Sequence, residues 1–457
     1  MNKLTKYIAT ERFQKLNALV FVFCISILGI SFFVLPRKKI SINEKRTLAQ
    51  FPVLSMNSLL NGNYMDSIDL FFSDHFPWRE QFISVANAIA ENRGFDDENI
   101  KYYTRNAQTD GPNKISEVLE SEDSISTDSI DTDNNLSLTN LPFETIKSVV
   151  VSNNRAIQIF GGSKIGAKNY AGLINSYKKA FGTSVKVYCM PVPVGSDFYL
   201  PEKINKRKEK EFINDVFQQL QTDVVKVNAY EELSKHSNEY IQFKTDHHWT
   251  GRGAYYAYVA FCKSAAIEPL PLSGFQRKVI PNFLGTLYYY TLSKDLKKNI
   301  DSVEYFKVPV STKTFYIKKG KSTEQPTQLY AEFAKGSNAY GVFLGGDYPL
   351  MRIATNIKNA RKVLIFKDSY GNAFSPYLAS HFEEVYIIDF RHFNGSVKSL
   401  VEKNNITDIV FAHNVYASNS SFTVKRELSM LNYVTPPKQA AQPLTNQDTS
   451  IALKKQN

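Results

Sequence analysis

The chain has 457 residues, of which 43% are hydrophobic, including 32 Phe and 26 Tyr; this suits a large packed core and excludes a long disordered protein. Three cysteines are too few for a disulfide framework or a cysteine metal cluster, so Cys24, Cys189 and Cys262 are each predicted to be small buried hydrophobic residues. The formal net charge of +11 fits either a solvated basic surface or a groove for an acidic glycan. We expect no nucleic-acid partner, because the sequence has no run of basic residues interleaved with aromatic residues.

The first predicted element after residues 1–15 is a membrane anchor, residues 16–36. Leu16–Leu35 contains no charged residue, and twenty helical residues span about 30 Å, the thickness of a hydrocarbon core. Phe33–Pro36 lacks the small residues of a signal-peptide cleavage site, and Cys24 lacks those of a lipoprotein site. We therefore expect an uncleaved anchor. Basic residues flank both of its ends, so the positive-inside rule does not orient it.

Residues 37–106 are predicted to form a juxtamembrane helical region, because an amphipathic stretch runs from Leu59 to Phe72. Asp74 and His75 follow it; without a nearby nucleophile phrase they favour a helix-terminating turn over a catalytic pair. Residues 107–140 hold eight acidic residues and one lysine, which predicts a disordered acidic linker. The proline-containing tail, residues 433–457, is also predicted to be disordered, which leaves residues 141–432 as the globular domain.

Within residues 141–432, short apolar runs alternate with helical patterns. Helix Lys168–Phe181 precedes strand Val185–Met190, and a second series starts at the apolar strand Val363–Phe366. Helices and strands alternate in that series, at Ala373–Ser380, Val385–Ile388, Ser396–Glu402 and Ile409–Ala412. This alternation predicts an α/β fold with a mostly parallel sheet flanked by helices, whose working site lies at the carboxyl ends of the strands. Ile280–Tyr340 fits poorly and is expected to hold an inserted β-hairpin or small subdomain around Thr314–Lys318.

A candidate nucleophile, Ser369, follows the strand Val363–Phe366. Residues 363–372 read VLIFKDSYGN, a buried strand that runs into Asp-Ser, a glycine and the start of a helix. The Ser369 hydroxyl would then lie beside unpaired backbone N–H groups, which can hold the oxyanion of an acyl-transfer intermediate. An ordinary helix N-cap serine is the alternative, and on this phrase alone it is the better interpretation.

A candidate base lies in the segment Lys244–Thr250, which reads KTDHHWT. Thr250 is a suitable N-cap for a helix from Gly251 to about Ala265, so Asp246, His247 and His248 are expected on the loop before a packed helix. An imidazole positioned by a carboxylate is what a serine needs to lose its proton near neutral pH. Metal ligation is the alternative, although no further Cys, His or Glu at ligand spacing completes such a site.

Together the two phrases resemble the DHHW family, relatives of the SGNH-hydrolase-like domains of AlgJ and AlgX in alginate O-acetylation. The resemblance covers most of the chain, and its other matching phrases are Glu44–Pro52, Asp74–Arg79, Cys189–Pro191, Phe283–Thr286, Phe343–Asp347 and Tyr386–Arg391. It implies an SGNH-hydrolase-like (flavodoxin-like) fold in which Asp246 orients His248, His248 is the base and Ser369 attacks. His247 occupies the variable position of the motif and is interpreted as structural. The order Asp, His, Ser reverses that of ordinary SGNH esterases, but a triad is defined by geometry and role.

The oxyanion hole and substrate contacts are predicted less directly. No clear Gly-x-Asn-Asp block is present, so the backbone N–H groups of Ser369 and Tyr370 are the first candidates, and the side chains of Asn372 and Asn414 are the others. Arg391, after the strand at Tyr386, is a candidate for substrate binding, with a structural cap as the equal alternative.

The resemblance implies a cell-envelope polysaccharide O-acetyltransferase that works through an acyl-enzyme on Ser369. It also implies a polysaccharide acceptor, a membrane-bound acyltransferase partner that supplies acetyl groups, and a single-pass protein whose residues 1–15 are cytoplasmic and whose catalytic domain is extracytoplasmic. No cofactor is expected, because no nucleotide-binding glycine loop or acetyl-CoA signature is visible. Two alternatives stay open: an O-acetyl esterase with the same triad, and a non-catalytic glycan-binding scaffold of a secretion complex.

Overall fold

The computed structural model describes residues 3–37, 39–41, 46–60, 63–79, 81, 82, 85, 89, 100–104, 148–205, 208–318 and 323–433. The predicted acidic linker, residues 107–140, lies outside the described residues, as does the predicted tail apart from Tyr433.

The helices are numbered here in chain order. They are α1 (Lys3–Val34), α2 (Met56–Leu60), α3 (Asn63–Asp74), α4 (Lys164–Phe181), α5 (Ser196–Tyr199), α6 (Glu209–Gln218), α7 (Ala229–Ser234), α8 (Gly251–Ser264), α9 (Thr286–Thr291), α10 (Lys294–Lys298), α11 (Gly371–Leu378), α12 (Val397–Asn404), α13 (Val415–Ser418) and α14 (Ser421–Leu431). Two 3₁₀ turns cover Leu272–Gly274 and Gly336–Val342.

The strands are numbered in the same way. They are β1 (Ile40–Ser41), β2 (Arg46–Thr47), β3 (Lys101–Thr104), β4 (Ser148–Ser152), β5 (Arg155–Gln158), β6 (Lys186–Cys189), β7 (Val225–Lys226), β8 (Gln276–Phe283), β9 (Asp301–Lys307), β10 (Thr312–Ile317), β11 (Glu324–Thr327), β12 (Leu350–Thr355), β13 (Lys362–Lys367), β14 (Glu384–Asp389) and β15 (Asp408–Ala412).

An eight-stranded sheet forms the centre of the fold, in the order β11-β10-β12-β14-β13-β15-β6-β7. Strands β14, β13, β15, β6 and β7 are parallel to one another. Strands β12, β10 and β11 extend one edge in antiparallel fashion. The α/β prediction is confirmed, but the sheet is mixed. The hairpin predicted around Thr314 exists as β10 and β11 and belongs to this sheet, not to a separate subdomain.

Both faces of the sheet are covered, as the apolar character of β13 requires. Val363 and Ile365 point into one core, which α8 and α11 help to form, while Leu364 and Phe366 point into the other, beneath α4 and α6. A strand buried on both faces has no polar alternation, which is why this run is continuously apolar. Because β14, β13 and β15 are neighbouring parallel strands, their carboxyl ends lie side by side at one edge of the sheet.

Two smaller sheets support the segment before α8. Strands β3, β4 and β5 form an antiparallel sheet, and the Ala156 N–H in β5 donates to the Lys244 carbonyl at 2.8 Å. The Arg155 guanidinium donates to the carbonyls of Gln242 and Phe243 at 2.9 and 3.0 Å. Strands β8 and β9 form the second sheet.

Among the described residues, one helical stretch, Phe13–Val34 in α1, is long and apolar enough to cross a membrane, and none of its most apolar window is buried inside the protein. Cys189 and Cys262 are buried as predicted, but Cys24 is exposed because it lies on this stretch. Asp74 and His75 are structural, since both contact the backbone of Ala49, at 2.8 and 2.9 Å.

Candidate active site

The loop before α8 is held from several sides. Asp301, at the start of β9, accepts hydrogen bonds from the N–H groups of Lys244 and Thr245 and from the Thr245 hydroxyl. Thr250 caps α8 as predicted, and its hydroxyl accepts from the Gly253 N–H. Because so many backbone groups are paired, the side chains at 246–249 have fixed positions.

Asp246 is further fixed by the segment before α9. The Thr286 N–H donates to Asp246 Oδ2 at 2.7 Å. A Cβ atom at Gly285 would lie 2.2 Å from the Asp246 Cβ, so only glycine permits this close approach. The Phe283–Thr286 phrase therefore has a physical role, which is to seat the carboxylate.

The second half of the site is the turn between β13 and α11. Asp368 is fully buried and accepts the N–H groups of Tyr370 (2.8 Å) and Asn414 (2.7 Å). Burial raises the pKa of Asp368, and those two donors act in the opposite direction. Gly371 is also required here, because a Cβ at this position would lie 2.3 Å from the Lys367 Cβ. Asp368 and Gly371 thus set the position of Ser369 between them.

The two halves meet at His248. His248 Nε2 lies 2.8 Å from Ser369 Oγ, and His248 Nδ1 lies 2.5 Å from Asp246 Oδ1. The three residues are between 2 and 7% exposed. A hydroxyl, an imidazole and a carboxylate in this order can generate a serine nucleophile.

Two aromatic residues connect the halves. The Trp249 indole N–H donates to the Tyr370 carbonyl at 2.9 Å. Tyr340, in the 3₁₀ turn Gly336–Val342, donates its hydroxyl to the Ser369 carbonyl at 3.0 Å, and its ring stacks on the His248 ring with centroids 3.9 Å apart and planes 12° apart. Burial and nearby carboxylates raise the pKa of Tyr340 well above its ordinary value, so the hydroxyl remains a donor. Tyr340 was not predicted from the sequence, although the phrase Phe343–Asp347 begins three residues after it.

The candidate oxyanion residues lie around the turn that carries Ser369, and three of them make hydrogen bonds there. The Tyr370 N–H is directed to Asp368, the Asn372 amide donates to Asp347 at 2.9 Å, and Asn414 Oδ1 accepts from the Ala417 N–H as the cap of α13. A short turn after the strand brings Asp368 within reach of the Tyr370 N–H, which donates to it in this arrangement. A role of the Ser369 and Tyr370 N–H groups in an oxyanion hole stays a prediction. The role of the Asn372 and Asn414 side chains stays a prediction.

Arg391 lies in a cluster of charges at the same edge of the sheet, in which Lys367 and Asp389 are buried and Arg391 and Asp347 are partly exposed. Its guanidinium pairs with Asp389 at 2.7 Å and with Asp347 at 2.8 Å, and the Lys367 ammonium pairs with both carboxylates. Burial alone would raise the pKa of Asp347, but Lys367 and Arg391 hold it well below its usual range. The contacts of Arg391 thus correspond to the structural alternative, and they fix the loop at Asp347.

The alternative role as metal ligands concerns Asp246, His247 and His248. Their ligand atoms lie within 4.8 Å of one another, which makes them the one such group among the described residues. Both ring nitrogens of His248 already bond, to Asp246 and Ser369. Neither nitrogen is available to a cation without breaking the triad.

The fold and the site define an α/β protein with a serine, histidine and aspartate in hydrogen-bonded order. The chain belongs to the DHHW family: the model of the family described as DHHW protein matches residues 44–101 and 85–388. A search of curated protein sequences finds no match.

Solved structures agree with this assignment. A DHHW family protein from Eubacterium siraeum DSM 15702 is 33% identical, with a TM-score of 0.57, over 62% of this chain and 94% of that chain. Bacillus cereus PatB1 with a sulfonyl adduct is 19% identical, with a TM-score of 0.51, over 62% of this chain and 97% of that chain. The O-acetyltransferase domain of Pseudomonas putida AlgJ, at 13% identity and a TM-score of 0.34, covers 62% of this chain and 96% of that chain, which is too weak a likeness to inform the fold.

Proposed function

We propose that this protein is an SGNH-type O-acetyltransferase, anchored in the cell membrane by α1, which transfers acetyl groups to a cell-envelope polysaccharide on the extracytoplasmic side. The observation that carries the proposal is the contact of His248 Nε2 with Ser369 Oγ, together with Asp246 at the other ring nitrogen. The acetyl and polysaccharide specificity comes from the family resemblance, as does the membrane-bound acyltransferase that would supply acetyl groups.

The reaction has two balanced steps. His248 Nε2 takes the Ser369 proton while Ser369 Oγ bonds to the acetyl carbonyl carbon, and collapse of the tetrahedral intermediate expels the donor's leaving group, which receives the proton from His248. A sugar hydroxyl then gives its proton to His248 and attacks the acyl-enzyme, and Ser369 leaves and regains the proton. Asp246 fixes the ring and stabilises the imidazolium in both steps.

A sulfonyl fluoride or fluorophosphonate tests the nucleophile, since PatB1, a protein of similar fold, is known with a sulfonyl adduct. We expect the detergent-solubilised full chain to gain one adduct, mapped to Ser369 by peptide mass spectrometry. Ser369→Ala should abolish the adduct. Ser375→Ala is the matched control, because Ser375 is a buried serine in α11, six residues after Ser369, whose hydroxyl donates to the Gly371 carbonyl. An adduct that persists in Ser369→Ala would refute the assignment.

Partitioning of the acyl-enzyme separates the alternatives. We expect the full chain to release nitrophenol from p-nitrophenyl acetate and to pass part of the acetyl to an added oligosaccharide. Release that no glycan acceptor alters would identify an esterase. Glycan binding undiminished in Ser369→Ala, together with an unlabelled wild-type protein, would identify a scaffold.

A further inference from the structure

The segment between α1 and the globular part exposes an unusual amount of apolar surface. Twelve large apolar side chains between Phe51 and Phe82 are exposed, whereas the much longer described stretch 148–433 exposes five. Scattered exposed apolar residues are normal, but a dense group of them marks an interaction surface. Here these side chains are called the juxtamembrane apolar surface; its members include Leu54, Met56, Leu60, Met65, Phe72 and Trp78.

This surface is continuous with the end of the membrane-span candidate. Phe32, in the last turn of α1, stacks on Phe72 of α3 with ring centroids 4.8 Å apart and contacts Phe71 edge-on at 6.2 Å. The Arg37 guanidinium lies over the rings of Phe32 and Phe71. With α1 as a membrane anchor that ends near Val34, α3 would lie at the level of the lipid headgroups. Aromatic and cationic side chains are enriched at that level.

The pattern of α3 agrees with a helix lying flat at such a boundary. At 3.6 residues per turn, Met65, Ile68 and Phe72 fall on one side of the helix with Asp69 at its edge, and Asp66 and Asp74 fall on the other side. The span is followed directly in the sequence by three basic residues, Arg37, Lys38 and Lys39, whose charges attract anionic headgroups on either side of a membrane.

We propose that the juxtamembrane apolar surface inserts into the membrane–water interface, so that its occupant is the lipid surface itself. A partner protein or a second copy of the chain could also cover apolar side chains, but neither would require the surface to begin at the end of α1. The inference rests on anchoring by α1 and not on the chemistry of Ser369. Its consequence is a catalytic domain held close to the bilayer, where a membrane-embedded donor would present acetyl groups.

The chain contains a natural reporter for this surface. Of its two tryptophans, Trp78 is 44% exposed and Trp249 is 0% exposed. We would reconstitute the full chain into vesicles of phosphatidylcholine and phosphatidylglycerol in which a fraction of the lipid is brominated near the top of the acyl chain. We expect bromolipid to quench part of the tryptophan emission, and Trp78→Phe to reduce that quenching several-fold because only Trp249 remains.

A double variant supplies the perturbation. Leu60→Asp with Met65→Asp should weaken Trp78 quenching by bromolipid and increase its quenching by aqueous acrylamide. Phe333→Asp is the matched control, because Phe333 is an isolated exposed apolar residue of the globular part; it should change neither value. Wild-type Trp78 quenched by acrylamide and not by bromolipid would overturn the proposal, since the surface would face water. Quenching by neither would also overturn it, because a protein would then cover the surface.

Flotation of the vesicles distinguishes failure of the anchor from failure of the interface. A chain that does not float with the vesicles lacks the anchor, and the interface proposal fails with it. A chain that floats without bromolipid quenching of Trp78 retains the anchor and refutes the interface alone. Labelling of Ser369 is independent of both outcomes.

Discussion

Tyr340 makes two separable contacts with the triad, and two substitutions distinguish them. Tyr340→Phe keeps the ring on His248 and removes the hydroxyl that donates to the Ser369 carbonyl. Tyr340→Leu removes both contacts. The hydrogen bond contributes about 1 kcal/mol. The stacked ring contributes about 1 kcal/mol more, because an aromatic face holds the ring in place and stabilises the charge that develops on His248.

If both contributions are expressed in the transition state, the rate of Ser369 acylation falls about 5-fold in Tyr340→Phe and about 30-fold in Tyr340→Leu, since 1.36 kcal/mol corresponds to a factor of ten. The assay is the pre-steady-state burst of nitrophenol from p-nitrophenyl acetate, with kcat and KM determined separately. We expect the loss in kcat, because Tyr340 acts through His248 and Ser369 and not by holding substrate.

Tyr377→Phe is the control for loss of a buried tyrosine hydroxyl, since Tyr377 donates to the Gly251 carbonyl away from the triad. The stacking argument would be refuted by equal losses in Tyr340→Phe and Tyr340→Leu. A Tyr377→Phe variant as slow as Tyr340→Phe would show that general loosening of the core, and not the contact with Ser369, explains the effect.

Two further predictions concern Gly285 and Glu209. Gly285→Ala forces the new Cβ against Asp246, 2.2 Å away, so we expect acylation of Ser369 to fall at least tenfold; Gly274→Ala, where the new Cβ has space, should leave the burst rate unchanged. Burial raises the pKa of Glu209 from 4.5 to about 7, so its contribution to stability is complete below pH 4.5 and is lost as the pH rises through 7. Between those values the free energy of unfolding should fall by about 3 kcal/mol, and Glu209→Gln should flatten the dependence in urea titrations; an unchanged slope would contradict the assignment.

The parts of the site that follow a local rule could be predicted from the sequence. The run Val363–Phe366 is apolar on both faces and precedes Asp-Ser and a glycine, so a strand, a turn and a helix start were all readable there. Thr250 before a helical pattern placed His248 on the preceding loop in the same way. The observed β13, α11 and α8 begin within two residues of these predictions, because hydrophobic period and capping act over only a few residues.

Contacts that depend on distant pairing were not readable. Tyr340 and Asp301 contact the segments that carry Ser369 and His248, from the 3₁₀ turn Gly336–Val342 and from β9, and no motif around either residue shows what it contacts. The mixed character of the sheet could not be predicted for the same reason. Strands β10, β11 and β12 join the parallel strands through long-range pairing that no local sequence pattern encodes. Arg391 was placed correctly at a strand end, but its partners were not foreseen. The largely buried guanidinium of Arg391 requires compensating carboxylates, and Asp347 and Asp389 provide them.

The indole of Trp249 gives a physical reason why the phrase Asp246–Trp249 accompanies a serine much later in the chain. Its N–H donates to the carbonyl of Tyr370, the residue after Ser369, so the loop that carries His248 is tied to the turn that carries Ser369. The indole is fully buried, and leaving its N–H unpaired would cost about 1–3 kcal/mol. The hydrogen bond to Tyr370 therefore favours the arrangement in which the two segments are in contact over one in which they are apart. Chain order therefore does not constrain the triad. What the arrangement requires is that the segment of Asp246 and His248 is held against the segment of Ser369. Trp249, which belongs to the same sequence motif, provides the hydrogen bond that joins them.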